Sequence, residues 1–309
     1  MDEQSSNAAS LVSIFAIIVI YKQTPALSPS LQTLIEAVRM ASNANLRFAI
    51  LIADNTPGGQ TAGDLPDGVR YRAFPENPGL ARPYNEALQM AEAEGFHWLL
   101  TLDQDTHLPA NFLVAMQHHA RKYESVPQVG AIVPRVMDQL RPISPFRYAG
   151  GFLPRLLPPE TSGLSKRFTS AINSTSLFRV STLRQIGGYE ERYPLHNSDT
   201  SLYQKLDEAG WRVAVVGDLI VQHELGILQR ESRMSADRYK RLLEDECDFW
   251  DRQMGVLGRT ERLVRLMGRA VKGYLHNENK AFRTVTIEEF WRRLSTRKRT
   301  RMRTRDSIS

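Results

Sequence analysis

The run Leu11–Tyr21, LVSIFAIIVIY, most constrains the fold. Its length and β-branched content predict a strand buried on both faces, and such strands belong to parallel sheets covered by helices. It is too short to span a bilayer. Asp2 and Glu3 precede it where a secretory leader carries basic residues, and no small-residue cleavage site follows, so no leader is expected. Short apolar runs then alternate with helical patterns: helix Ser30–Asn43, strand Arg47–Ala53, strand Val69–Phe74, helix Ala81–Glu94 and strand Phe96–Leu102. That order predicts an α/β domain whose strand C-termini share one edge, where ligands bind in open sheets.

Further on, the patterns predict a helix over Ala110–Tyr123, a strand over Val129–Pro134, strands over Thr169–Arg179 and Val213–His223, and a helix over Thr200–Ala209. The Pro- and Gly-rich stretch Pro142–Gly163 reads as an irregular, acceptor-facing loop. Charge is uneven: the net +6 divides into +9 for residues 230–309 and −3 for the rest. Basicity therefore describes the last quarter only. Cys247 is the single cysteine, which excludes intrachain disulfides and cysteine-clustered metal sites and fits a reducing compartment.

Three acidic features fall at strand ends or helix starts. Asp54, directly after the second strand, either accepts hydrogen bonds from a nucleobase or ribose or belongs to a turn. In LLTLDQDTHLP (Leu99–Pro109), Asp103 and Asp105 offer two hard oxygen ligands from one short turn. Mg²⁺ and Mn²⁺ favour such donors and share their coordination with substrate phosphates; the plainer reading is a capped turn before a helix. Asp199, at the head of a predicted helix, is either an N-cap or a general base. Asn77 and Gly79 lie in a loop that opens the Ala81 helix, where amides can face an anion. Neither GxxxxGK[ST] nor GxGxxG occurs there, which removes the main support for ATPase and dinucleotide-dehydrogenase readings.

In order, VIYKQTP (Val19–Pro25), ADN (Ala53–Asn55), ENPGLARPYNEAL (Glu76–Leu88), LLTLDQDT (Leu99–Thr106), IGGYEE (Ile186–Glu191), SDTSLYQKLDEAGWR (Ser198–Arg212) and QHELG (Gln222–Gly226) resemble the family-2 inverting glycosyltransferases of GT-A fold. The likeness is greatest to their bacterial rhamnosyltransferase-like branch. It covers about Ile14–Gly226 and implies a mixed, mainly parallel sheet flanked by helices; with the polar start and the basic last quarter, the chain is expected to comprise a disordered N-terminus (1–10), a catalytic domain (11–228) and a basic helical C-terminal extension with a disordered tail (229–309). By this resemblance Tyr21, Asp54, Asn77 and Gly79 line the nucleotide pocket and Asp103 faces the ribose and diphosphate. Asp105 and His223 hold Mg²⁺ or Mn²⁺, and Asp199 is the catalytic base. The implied donor is dTDP-β-L-rhamnose or another nucleotide sugar, such as a UDP- or GDP-hexose, and the acceptor is a saccharide or lipid-linked molecule of surface-polysaccharide synthesis. Ser201, Lys205, His196 and Thr175 depart from the family pattern around the acceptor side.

Gly258–Leu275 places Leu263, Met267, Ala270, Val271 and Tyr274 on one helical stripe, with Arg259, Arg262, Arg265, Arg269 and Lys272 largely elsewhere. Such a helix, followed by the basic run Arg292–Arg305, either lies on an anionic membrane or packs on the catalytic domain. The first reading places the enzyme in the cytoplasm, peripheral on the inner face of the plasma membrane. A nucleic-acid partner is not expected, because the tail lacks an aromatic platform beyond Trp291 and matches no recognised module.

Overall fold

A computed structural model describes residues 11–41, 45–149, 153–223, 235–275 and 280–306. Residues 1–10, expected to be disordered, lie outside these. The chain divides into two compact units, residues 1–224 and 225–309.

In the first unit, β1 (Val12–Ile20) is buried along its whole length. It pairs in parallel with β2 (Leu46–Asp54) on one side and β4 (Trp98–Asp103) on the other. β3 (Val69–Ala73) extends the sheet beyond β2, again in parallel. The register sets Ile20 beside Asp54 and Val19 beside Asp103, so both acids flank the C-terminal end of β1. Helices α1 (Pro29–Ala41) and α3 (Phe112–Glu124) cover one face through Leu31, Leu34, Phe112 and Met116. On the other face α2 (Ala81–Ala93), α4 (Val180–Gln185) and α5 (Ser198–Glu208) bury Tyr84, Leu88, Leu183, Leu202 and Leu206. These two apolar layers explain why β1 needs no polar face.

The sheet continues with β6 (Val129–Asp138), β11 (Ser176–Arg179) and β12 (Arg212–His223) in the order β12-β6-β11-β4-β1-β2-β3. β6 and β12 run parallel, whereas β11 is antiparallel to both β4 and β6. The strand expected over Thr169–Arg179 is therefore shorter, and it is the antiparallel member of the mixed sheet. Its first half bends, with Thr175 at φ 74°. The stretch Pro142–Gly163 is also more ordered than expected. β7 (Arg141–Ser144) folds back on β6, β8 (Phe146–Ala149) and β9 (Leu153–Leu156) form a hairpin, and β10 (Gly163–Leu164) edges β12. The buried Arg135 of β6 secures this region: its guanidinium donates to the carbonyls of Pro158 at 2.5 Å and Thr161 at 3.1 Å.

The second unit holds α6 (Ala236–Leu275), broken at Gly255 (φ 53°, ψ −126°), and α7 (Lys280–Asp306). The two halves of α6 fold back on each other, since Glu246 before the break pairs with Arg262 and Arg269 after it. Leu243, Cys247 and Leu266 form a small core against Val285 and Phe290 of α7. Burial pushes the Cys247 thiol up to about 12, so it is an unreactive apolar filler. No described helix is long and apolar enough to cross a membrane.

Candidate active site

The acidic turn is fixed from beneath by small hydroxyls. Ser28 caps α1, accepting from the Leu31 amide at 3.3 Å and donating to the Gln104 carbonyl at 2.8 Å, with Pro29 at the first helical position. Ser30, fully buried, accepts from the Thr106 amide at 2.9 Å and donates to the Asp103 carbonyl. Ser174 accepts from the Asp103 amide at 3.1 Å and meets the Thr106 hydroxyl at 2.6 Å. Thr106 in turn lies 2.8 Å from His223 Nδ1. A two-residue strand, β5 (Thr106–His107), pairs antiparallel with the end of β12 and carries His223 to this turn.

The result is a cluster in which Asp103, Asp105 and His223 each offer a ligand atom, all within 4.8 Å of one another. His223 Nδ1 stands 3.6 Å from Asp105 Oδ1. His223 is 6% exposed while the Asp105 side chain is 41% exposed, so the cluster is anchored inside and opens to solvent on the Asp105 side. Burial pushes the Asp103 carboxyl up to about 6 despite the opposing pull of His223, and the charges of Asp105 and Asp199 add to the rise. Crowded carboxylates of this kind favour a cation between them, and two oxygen donors plus an imidazole can hold a divalent metal.

Asp199 sits in the first turn of α5, and its Oδ1 accepts from the Thr200 amide at 2.7 Å. It is not the N-cap; that position belongs to Asn197, at φ 60°. Burial raises the Asp199 carboxyl above its ordinary range. The buried Tyr84 hydroxyl links the two acidic regions: it donates to Asp103 Oδ1 at 3.2 Å, and the charges of both Asp103 and Asp199 act on it. Tyr189 packs 4.9 Å from the Tyr84 ring and donates to Asn173, whose amide donates to Ser198 beside Asp199. The charge of Asp199 thus reaches both Asp103 and the Tyr84 hydroxyl that binds it, beside the Asp103, Asp105 and His223 cluster.

The remaining expected residues are placed as follows. The Tyr21 ring is 40% exposed next to the acidic turn, and its amide donates to Gln104 Oε1 at 2.7 Å. Asp54 is fully buried, accepting from the Thr56 amide at 2.9 Å and the Tyr71 hydroxyl at 2.5 Å. Asn77 (φ 48°) and Gly79 (φ 84°) shape the turn before α2. The α2 amides do not face an open anion site, because Leu80 and Ala81 both donate to the Pro194 carbonyl. Gly79 serves instead as a close-approach residue: a Cβ there would collide with Pro194. Of the departures, Ser201 donates to Glu190 at 2.9 Å, so an acid from IGGYEE stands beside it. Tyr84, Ser28, Ser30, Asn173 and Ser174 were not expected; only the Ser28-Pro29 cap carries a local signature.

Comparison with known proteins is consistent with this architecture. None of the curated proteins matches the chain by sequence. S. aureus TarS is similar in structure, with TM-score 0.52 and 13% identity over 89% of this chain and 55% of TarS. TarS 1-349 gives TM-score 0.48 and 13% identity over 76% of this chain and 65% of that one. TarS 1-349 in complex with UDP gives TM-score 0.46 and 12% identity over 90% and 91%. The chain thus spans little more than half the length of TarS, and at these identities the likeness is one of fold. The model of Glycosyl transferase family 2 matches residues 15–184, more than half of the chain. The chain belongs to glycosyl transferase family 2.

Proposed function

We propose that this protein is a metal-dependent, inverting glycosyltransferase that moves L-rhamnose from dTDP-β-L-rhamnose to a saccharide or lipid-linked acceptor. It works in bacterial surface-polysaccharide synthesis, in the cytoplasm at the inner face of the plasma membrane. The carrying observation is the convergence of Asp103, Asp105 and His223 at one strand edge, close enough to Asp199 that its charge acts on Asp103.

In this reading Tyr21, Asp54, Asn77 and Gly79 form the nucleotide pocket. Asp54, fully buried, shapes this pocket from beneath by holding the Thr56 amide and the Tyr71 hydroxyl. Asp103 faces the ribose and diphosphate; Asp105 and His223 hold the divalent cation. When bound, Mg²⁺ or Mn²⁺ supplies positive charge for the departing nucleoside diphosphate.

Asp199 performs the proton transfer. The Thr200 amide holds Oδ1, so Oδ2 takes the proton from the acceptor hydroxyl as its oxygen bonds to the anomeric carbon. The bond from that carbon to the diphosphate oxygen breaks, and configuration inverts. Burial makes Asp199 a stronger base than a solvated carboxylate.

The test is a screen of dTDP-rhamnose, UDP-hexoses and GDP-mannose, each with Mg²⁺ or Mn²⁺, read by nucleotide release and by NMR of the anomeric centre. Turnover of dTDP-rhamnose with an α-rhamnoside product is expected. A product retaining the donor configuration rejects inversion, and turnover of a hexose donor alone rejects rhamnose.

A further inference from the structure

The second half of α6 has two opposed faces. On the inner one Arg262 is buried and pairs with Glu246 and Glu261, Arg265 pairs with Glu261, and Arg269 pairs with Glu246. Arg259 faces Asp251. The arginines expected to meet a membrane are therefore engaged within the helical unit. The outer face carries Leu257, Val264, Met267, Val271, Tyr274 and Leu275, all between 52% and 78% exposed. At 100° per residue these six share an arc with only Val256 and Thr260, none of them charged, and the Arg283 guanidinium of α7 lies over the Tyr274 ring at the far end. Leu263 and Ala270, expected on the same stripe, are half-buried at its margin. The arc runs about 27 Å along the helix.

A second feature points to what covers it. Tyr239 stacks on Phe282 at 4.6 Å, and Asp251 pairs with Arg293, so α7 runs alongside the first half of α6 in the same direction. From there α7 continues to Asp306. The continuation, Arg297–Arg305, has six basic residues and no acid. A long uncharged apolar arc and an unbalanced basic run in one unit match the two layers of an anionic bilayer surface, acyl boundary and headgroups. A second copy of the chain would cover the arc but leave the basic run unanswered.

We infer that the helical unit docks on an anionic lipid surface, with the Leu257–Leu275 arc entering the headgroup–acyl boundary and Arg297–Arg305 engaging anionic headgroups. This deepens the inner-face placement proposed above and rests on that reading only for the leaflet involved.

The test uses the full chain and vesicles of phosphatidylglycerol and phosphatidylcholine in equal parts, with pure phosphatidylcholine as the comparison. Wild type is expected to co-sediment with the mixed vesicles in a salt-sensitive manner. Val264→Glu with Val271→Glu, and separately glutamine at all six basic positions of 297–305, should each weaken binding about tenfold or more, with helicity by circular dichroism unchanged. The inference is overturned if wild type fails to bind or if the glutamate pair binds as well as wild type. It is equally overturned if that pair converts a dimer to a monomer in light scattering, since the arc is then covered by a second copy. A chain that binds vesicles but turns over no nucleotide sugar keeps this inference and rejects the transferase reading.

Discussion

Ser30→Ala probes how the acidic turn is held. Ser30 and Thr106 are both fully buried, and the Ser30 hydroxyl accepts the Thr106 amide at 2.9 Å while donating to the Asp103 carbonyl. Alanine leaves that amide without its partner and opens no space for water beyond a hydroxyl. A buried donor orphaned in this way costs about 1–3 kcal/mol. For a unit of 224 residues, about 2 kcal/mol corresponds to a fall of roughly 4–8 °C in Tm. The consequence for the site is larger than the stability loss alone, because Thr106 is flanked by Asp105 and bonded to His223. Groups that orient metal ligands typically contribute about 10–100-fold to affinity, and Ser30 acts on the backbone between two of them. Calorimetry for Tm and isothermal titration with Mn²⁺ measure both effects on the same sample. A fall in Tm with unchanged Mn²⁺ affinity would refute the idea that Ser30 positions the ligands, leaving it a packing residue only.

Three further outcomes follow from other residues. Asp199→Asn should lower turnover by about 10²–10⁴-fold. Burial raises the Asp199 carboxyl, so wild-type turnover should fall as pH drops through a value above the usual carboxylate range. The same shift means that the ionised form weakens the fold, so the asparagine variant should melt no lower than wild type at neutral pH, and a lower Tm contradicts the sign. Gly79→Ala forces a side chain into a left-handed conformation against Pro194, and a loss of roughly 2–4 kcal/mol is expected in urea unfolding. Unchanged stability would show that Gly79 has room to spare. Thr175→Gly should stabilise by about 1 kcal/mol, strain relieved at φ 74° less the entropy glycine adds, and a destabilised variant would mean its hydrogen bond to Ser174 outweighs the strain.

Asp54, Asp103 and Asp105 were legible because apolar strands end at them and the β-α-β order sends those ends to one edge. Asp199 was legible as an acid at the head of α5. The hydroxyl scaffold was not: Ser30 and Thr106, and Ser174 and Asp103, meet across more than 65 residues of chain through side chains with no periodic signature. Nor did hydrophobicity report the direction of β11, since a strand buried on both faces has the same pattern whether its neighbours are parallel or antiparallel. The tail shows the opposite case. Its apolar stripe was visible, but Arg262 and Arg269 find Glu246 only because α6 folds back at Gly255, a contact that helical spacing along one helix cannot reveal.

The central claim is that Asp105 and His223 hold a cation through which this site binds a nucleoside diphosphate. Isothermal titration of dTDP and UDP into wild type and Asp105→Ala, each with Mn²⁺ and with EDTA, tests it most directly. The account predicts that one of these nucleotides binds wild type with Mn²⁺ and that binding is lost with EDTA or in the variant. Equal nucleotide affinity in all four conditions would contradict it.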